Sequence, residues 1–296
     1  MTSADEAVRL RRLKQEHPYV YTKILTHTAW DRPIYALQIG CGDTKLMLTA
    51  GHHANEYITS MLCWQMVERY CDAFAHGGKF GGFDANALYH NAMLYVVPTV
   101  NPDGIDLVTG AILKDSIQFR AAEKIARQYP HVPFPEGWKA NLSGVDLNLN
   151  YPAGWEKAKR IKENLGFSSP SPRDYPGAQP LDQPETSALA AYICCVRPDI
   201  LLAYHTQGRV IYHTYEEQIP PTSARLAQVF SHLTGYALEP VPPESANAGL
   251  KDWFIKRFFR PGFTVEAGLG ENPLPLTQLD ELVEENIPLL AYAMMQ

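Results

Sequence analysis

Leu46-Met47-Leu48-Thr49-Ala50-Gly51-His52-His53-Ala54-Asn55-Glu56 decides how the rest of the chain is read. Its first five residues form a short apolar run of the kind that builds a buried strand. Gly51 marks a turn. From Glu56 a helical pattern runs to Phe74 and stops before Gly77-Gly78. Further strands are expected at Ile34–Ile39, Met93–Val97, Asp199–Tyr204, Val210–Tyr215 and Phe263–Val265. Helices are expected at Thr186–Val196, which ends before Pro198, and at Thr222–Leu233, which ends before Gly235. In Leu276–Met294 the apolar residues fall three and four apart, and Pro288 is expected to kink or split that helix. Alternating strands and helices predict an α/β layered fold around a mostly buried sheet.

Composition sets the outer limits. With 296 residues, 46% hydrophobic and 20% charged, the chain is neither disordered nor a coiled coil. No linker-like stretch divides it, so a single domain over 1–296 is expected. A net charge of −6 gives no basic footprint for nucleic acid. The longest apolar runs, such as Leu46–Ala50 and Ile200–Ala203, are too short for a membrane segment. Met1–Glu6 lacks a signal-peptide pattern, and the five cysteines form no C-x-x-C pair. Both observations lead to an expected cytoplasmic location with reduced thiols. Three stretches read as long loops: Gly77–Asn86, Pro130–Trp138 and Asn164–Pro184. Such loops are either surface connections or the walls of a site.

Four constellations carry possible chemistry. His53 and Glu56 stand one helical turn apart, so their side chains aim at the same point. A neutral imidazole and a carboxylate are both good zinc ligands. The pair alone equally suits an acidic residue at a helix N-terminus. His205 ends the apolar run Asp199–Tyr204, where α/β folds place their ligand crevice; a hydrogen-bonded structural histidine is the alternative. Glu266 ends a third β-type run, where it is either a rim carboxylate or a general base. Asp146, in Gly144-Val145-Asp146-Leu147-Asn148, is placed either to orient a ligand histidine or to shape an Asx turn. Together the blocks supply two histidines and a glutamate around an open water position, with a second glutamate to spare.

With these pieces in order, the chain resembles the zinc metallocarboxypeptidases. The matching blocks are Arg32–Leu37, Gly51–Glu56 as H-x-x-E, Pro98–Gly104, Gly144–Asn148, Tyr204-His205 and Thr264-Val265-Glu266, and they span roughly residues 30 to 275. Within the family the chain looks most like the γ-D-glutamyl-L-diamino acid endopeptidase I branch. The carriers are His53-Ala54-Asn55-Glu56, Trp138–Asn141, Tyr151–Glu156, His205–Gly208 and Gly270–Pro275. The resemblance implies a mixed, mainly parallel eight-stranded sheet flanked by helices. It also implies a zinc ion held by His53, Glu56 and His205, with Glu266 as general base toward a metal-activated water. The implied substrate is a bacterial peptidoglycan stem peptide or muropeptide, cut between γ-D-glutamate and meso-diaminopimelate or lysine. A bacterial source, with a role in muropeptide recycling or sporulation, would fit.

The chain also departs from the pattern. Digestive carboxypeptidases place arginine where this chain has Asn55 and Leu149, and the second grips a C-terminal carboxylate in a bidentate fork. The family also carries an arginine shortly before Gly-Val-Asp. Here the nearby positions are Leu142 and Ser143, and Lys139 is the nearest cation in sequence. Glu244 stands where the family often has a tyrosine, eight residues before Asp252-Trp253. Lys139, Asn148 and Arg209 are the expected substrate-binding residues. Two other functions compete: a zinc amide hydrolase acting on a small N-acyl amino acid, and a non-enzymatic muropeptide-binding module.

Overall fold

The computed structural model describes residues 1–296. Its strands are β1 (Tyr21–His27), β2 (Pro33–Gly40), β3 (Thr44–Thr49), β4 (Lys79–Phe80), β5 (Phe83–Asp84), β6 (Ala92–Val97), β7 (Ile200–His205), β8 (Val210–Tyr212), β9 (Ala237–Leu238) and β10 (Gly262–Glu266). Its α-helices are α1 (Ser3–Glu16), α2 (Ile58–Ala75), α3 (Ala85–Asn91), α4 (Pro102–Val108), α5 (Ile117–Ala126), α6 (Trp155–Asn164), α7 (Pro184–Val196), α8 (Ser223–Thr234), α9 (Leu250–Phe258) and α10 (Leu279–Met294). Eight strands form one sheet in the order β1-β2-β6-β3-β7-β10-β8-β9. The central four, β6, β3, β7 and β10, are mutually parallel; β2 and β8 join them antiparallel, β1 pairs antiparallel with β2, and β9 pairs parallel with β8. The expected single-domain, mainly parallel sheet flanked by helices is the fold observed.

Alternation along the central strands sorts the two faces. Leu46, Leu48, Ile200, Leu202 and Tyr204 join one apolar cluster with α2, α8 and α10. Met47, Leu201 and Ala203 join a second with α7 and α9. Burial on both faces makes these strands read as unbroken apolar runs. β1 was absent from the sequence reading. It is an edge strand whose residues are exposed or half-buried, so it carries no such signal.

Two further expectations need correction. α10 is one continuous helix through Pro288, so the expected alternative of a split does not occur. The carbonyl that loses its partner there belongs to Glu284, on the exposed face, where water can satisfy it. Of the expected strand Val210–Tyr215, only Val210–Tyr212 pairs into the sheet. No helix is long and apolar enough to cross a membrane, and all five cysteines are free thiols.

Candidate metal centre and active site

The site lies at the carboxyl edge of the parallel strands, where α/β sheets form their crevice. His205 is the last residue of β7, and its register partner is Glu266, the last residue of β10. Beyond the end of β3, Gly51 takes φ +65, a left-handed conformation that glycine adopts without steric cost. A Cβ there would stand 2.3 Å from Ser60 Oγ. After this turn, Ala54–Glu56 form a single 3-10 turn ahead of α2. Residues i and i+3 eclipse in that geometry, which stacks His53 over Glu56. Asn101 braces the turn from behind by donating its Nδ2 to the carbonyls of His52 and Ala140.

The three side chains converge. His53 Nδ1 lies 2.9 Å from Glu56 Oε1, and His205 Nδ1 lies 3.1 Å from Glu56 Oε2. The two Nδ1 atoms are 3.2 Å apart, and all three residues are buried. One ligand atom from each falls within 4.8 Å of the others. Two imidazole nitrogens and a carboxylate suit zinc, with room for a further ligand from the cleft. The other nitrogen of His53 faces Asp146 Oδ1 at 3.1 Å. That carboxylate fixes the ring so that Nδ1 presents its lone pair to the centre. Thr206 N donates to Glu56 Oε2, and Asn272 Nδ2 donates to the Thr206 carbonyl. His52 stays outside the group, buried with Nε2 3.2 Å from Tyr151 Oη. Burial first, then the neighbouring His205 and His53, holds His52 well below the usual imidazole range, so it is neutral.

The centre opens into a cleft of about 770 Å³. Glu266, Lys139, Asn148 and Asp146 all line it. Burial, followed by the charge of Glu56, pushes the Glu266 carboxyl up to about 8, while Lys139 and His53 pull it down. Lys139 Nζ lies 3.2 Å from Glu56 Oε1. Burial alone would lower its pKa, but Glu56 and Asp146 raise it, so the amine stays charged. Asn148 offers half of its amide to the cleft, because its Oδ1 is spent accepting from Leu250 N at the start of α9.

Arg209 is placed elsewhere. Its backbone takes φ 52, and its guanidinium pairs with Glu281 and Glu285 of α10. It does not line the cleft, so the substrate contact expected of it is not what this geometry provides. Arg173 was missed. It lines the cleft from the proline-rich segment 164–184, and nothing local in the sequence signals that path. Both Pro130–Trp138 and Asn164–Pro184 contribute lining residues, which resolves those two loops as walls. Gly77–Asn86 instead holds the β4–β5 hairpin, whose Gly81 packs against α10.

The comparisons with known proteins agree with this construction. A family model described as zinc carboxypeptidase matches residues 8–288. Gamma-D-glutamyl-L-diamino acid endopeptidase 1 of Lysinibacillus sphaericus is 37% identical over 277 residues, covering 93% of this chain and 67% of that protein. The uncharacterized protein YqgT of Bacillus subtilis (strain 168) is 36% identical over 282 residues, covering 94% and 73%. Among solved structures, bovine thrombin-activatable fibrinolysis inhibitor in complex with tick carboxypeptidase inhibitor superposes with a TM-score of 0.76 at 18% identity, covering 99% of this chain and 96% of that one. A family match over nearly the whole chain, carried on the fold of the solved carboxypeptidases, means that the chain belongs to the zinc carboxypeptidase family and is a zinc metallopeptidase.

Proposed function

We propose that the enzyme hydrolyses the γ-D-glutamyl–diamino acid bond of peptidoglycan stem peptides, with meso-diaminopimelate or lysine on the leaving side. The observation that carries this reading is the likeness to the named endopeptidase over 93% of the chain. The cleft supports it. Asn55 and Leu149 supply no arginine for a peptide C-terminus, which disfavours a general carboxypeptidase. His53, Glu56 and His205 would hold the zinc, which when bound supplies a Lewis acid and an acidified water. Glu266 takes a proton from the attacking water and returns it to the leaving nitrogen. Lys139 is the cation beside the ligand group, and it faces the developing negative charge on the scissile carbonyl oxygen. Asp146 keeps His53 in the ligand orientation. Asn148 lines the cleft and would offer its amide N–H groups to the substrate backbone.

The test is a paired measurement on the purified protein. Zinc per chain is measured, and L-Ala-γ-D-Glu-meso-diaminopimelate is incubated while fragments are followed by mass spectrometry. One zinc per chain with release of free diaminopimelate is the expected result. Bound zinc without cleavage would move the enzyme to another amide substrate, and absence of zinc would overturn the ligand assignment.

A further inference from the structure

Four lysine and arginine side chains line the cleft, and three are already matched. Lys139 faces Glu56, Lys162 faces Asp174, and Lys251 is shared between Asp252 and the Thr214 carbonyl. Arg173 differs. Only its Nε is engaged, donating to Asp174 Oδ2 at 2.7 Å. Its side chain keeps 43% exposure, and its two terminal nitrogens bond to nothing in the chain. An arginine held by Nε alone presents a free planar fork, the shape that binds a carboxylate in two parallel hydrogen bonds.

That fork is firmly mounted. Asp174 is fixed from three sides: by Arg173, by Lys162 Nζ at 2.5 Å, and by its own N–H donating to Asp146 Oδ2 at 3.2 Å. Asp174 also takes φ 67, a left-handed conformation that costs a non-glycine residue energy and persists only where the surroundings enforce it. The flanking backbone is stitched to the segment carrying Lys139. The N–H groups of Lys139 and Ala140 donate to the Pro172 carbonyl, and Asp146 N donates to the Tyr175 carbonyl. Arg173 thus stands on the same scaffold as Asp146, the carboxylate that orients His53.

The side of the cleft is also fixed. The Lys139 segment is tied to the 3-10 turn that follows β3, since Ala54 N donates to the Lys139 carbonyl. Glu266 stands two strands away, at the end of β10. The leaving nitrogen must lie near Glu266 to receive its proton, which leaves the acyl portion on the β3 side with Arg173. A γ-linked glutamyl residue differs from an ordinary peptide on that portion: its α-carboxylate is unblocked. Asp146 and the rim residues Glu136 and Glu271 would repel such an anion, so its entry needs a dedicated cation.

We propose that Arg173 is a specificity-determining residue that grips the free α-carboxylate of the γ-glutamyl residue on the acyl side of the scissile amide. The proposal rests on the γ-glutamyl reading above. The test compares two synthetic substrates, γ-D-Glu-meso-diaminopimelate peptides with the α-carboxylate free or converted to the carboxamide, on the zinc-loaded wild type, Arg173→Gln and Arg173→Lys. Wild type should favour the carboxylate substrate. Arg173→Gln should lose about 30- to 100-fold in kcat/KM on the carboxylate substrate, the scale of charged hydrogen bonds to a carboxylate, and less than threefold on the carboxamide. Arg173→Lys should fall between, since it keeps the charge and loses the fork. Zinc content should be unchanged in both variants. Equal losses on the two substrates would overturn the proposal and make Arg173 a structural prop. If wild type cleaves neither substrate, the γ-glutamyl reading itself falls and takes the proposal with it.

Discussion

His205 and Glu266 stand side by side at the ends of neighbouring parallel strands, locked by sheet register and by the two apolar clusters beneath. Lys139, Asp146 and Arg173 hang instead from two irregular segments that hold each other through backbone hydrogen bonds and the Asp174 clamp. One wall is positioned by secondary structure, the other by a polar network. The difference matches the division of labour. Proton transfer and metal binding tolerate little misplacement, so they sit on rigid elements. Recognition of a substrate's periphery can be carried by loops that a scaffold positions. Asp146 crosses the divide, since it belongs to the loop wall yet orients His53, the metal ligand on the turn that follows β3.

This contrast is sharpest where substitutions are ranked. Removing a ligand from the sheet wall should be fatal: His205→Ala should lose bound zinc and with it measurable hydrolysis, which metal analysis and a turnover assay would check together. Glu266→Gln should retain zinc but lose about 10²–10⁴ in kcat, the range for general acid–base catalysis. Near wild-type turnover in that variant would remove Glu266 from the mechanism. Asp146→Ala tests the crossing point. It frees His53 Nε2 and undoes the Asp174 anchor, so zinc affinity should fall about 10- to 100-fold, as for other residues that orient a metal-binding histidine. A competition titration with a chelator reads that loss. An unchanged zinc affinity would mean that the two walls are independent.

The same contrast explains what could be read from sequence. His53, Glu56, His205 and Glu266 are conspicuous because three-residue spacing and strand-end positions are local patterns that the parallel sheet converts into proximity. The central strands were legible for the same reason: burial on both faces writes an unbroken apolar run. β1 and the two-residue β9 were not, because they lie at the sheet edges with exposed or half-buried residues. Arg173 left no trace because its position depends on Pro172 meeting Lys139, a pair far apart in sequence and joined only by tertiary hydrogen bonds. Arg209 misled because it follows the third ligand so closely; a left-handed backbone at that residue turns it toward Glu281 and Glu285.

The smallest expected effect concerns what lies beneath the loop wall. Asn141 shapes the turn before Asp146 by accepting from the N–H groups of Ser143 and Val145, and its Nδ2 donates to Glu185 Oε1 at 3.3 Å. Glu185 is 1% exposed, and its Oε2 has no partner. Burial, and then the nearby charges of Asp103 and Asp182, raise its carboxyl to about 7, although Asn141 opposes the shift. A carboxyl raised by folding is held protonated by the native state. Below its unfolded value near 4.5 both states carry the proton, and the group costs nothing. As pH climbs from there to about 7, only the unfolded chain ionises, so the native state loses stability, and the loss levels off above that point. The full cost is at most about 3 kcal/mol. Glu185→Gln removes this cost while keeping an acceptor for Asn141. It should therefore raise Tm by about 5 °C at pH 8 and leave it unchanged at pH 4. Glu6, raised to about 7 by burial at a distant site, should preserve part of the slope in the variant. If Glu185→Gln lowered Tm at both pH values, the carboxylate would be stabilising the loop wall in its charged form, and the wall would owe its rigidity to that charge instead of to the hydrogen-bonded backbone.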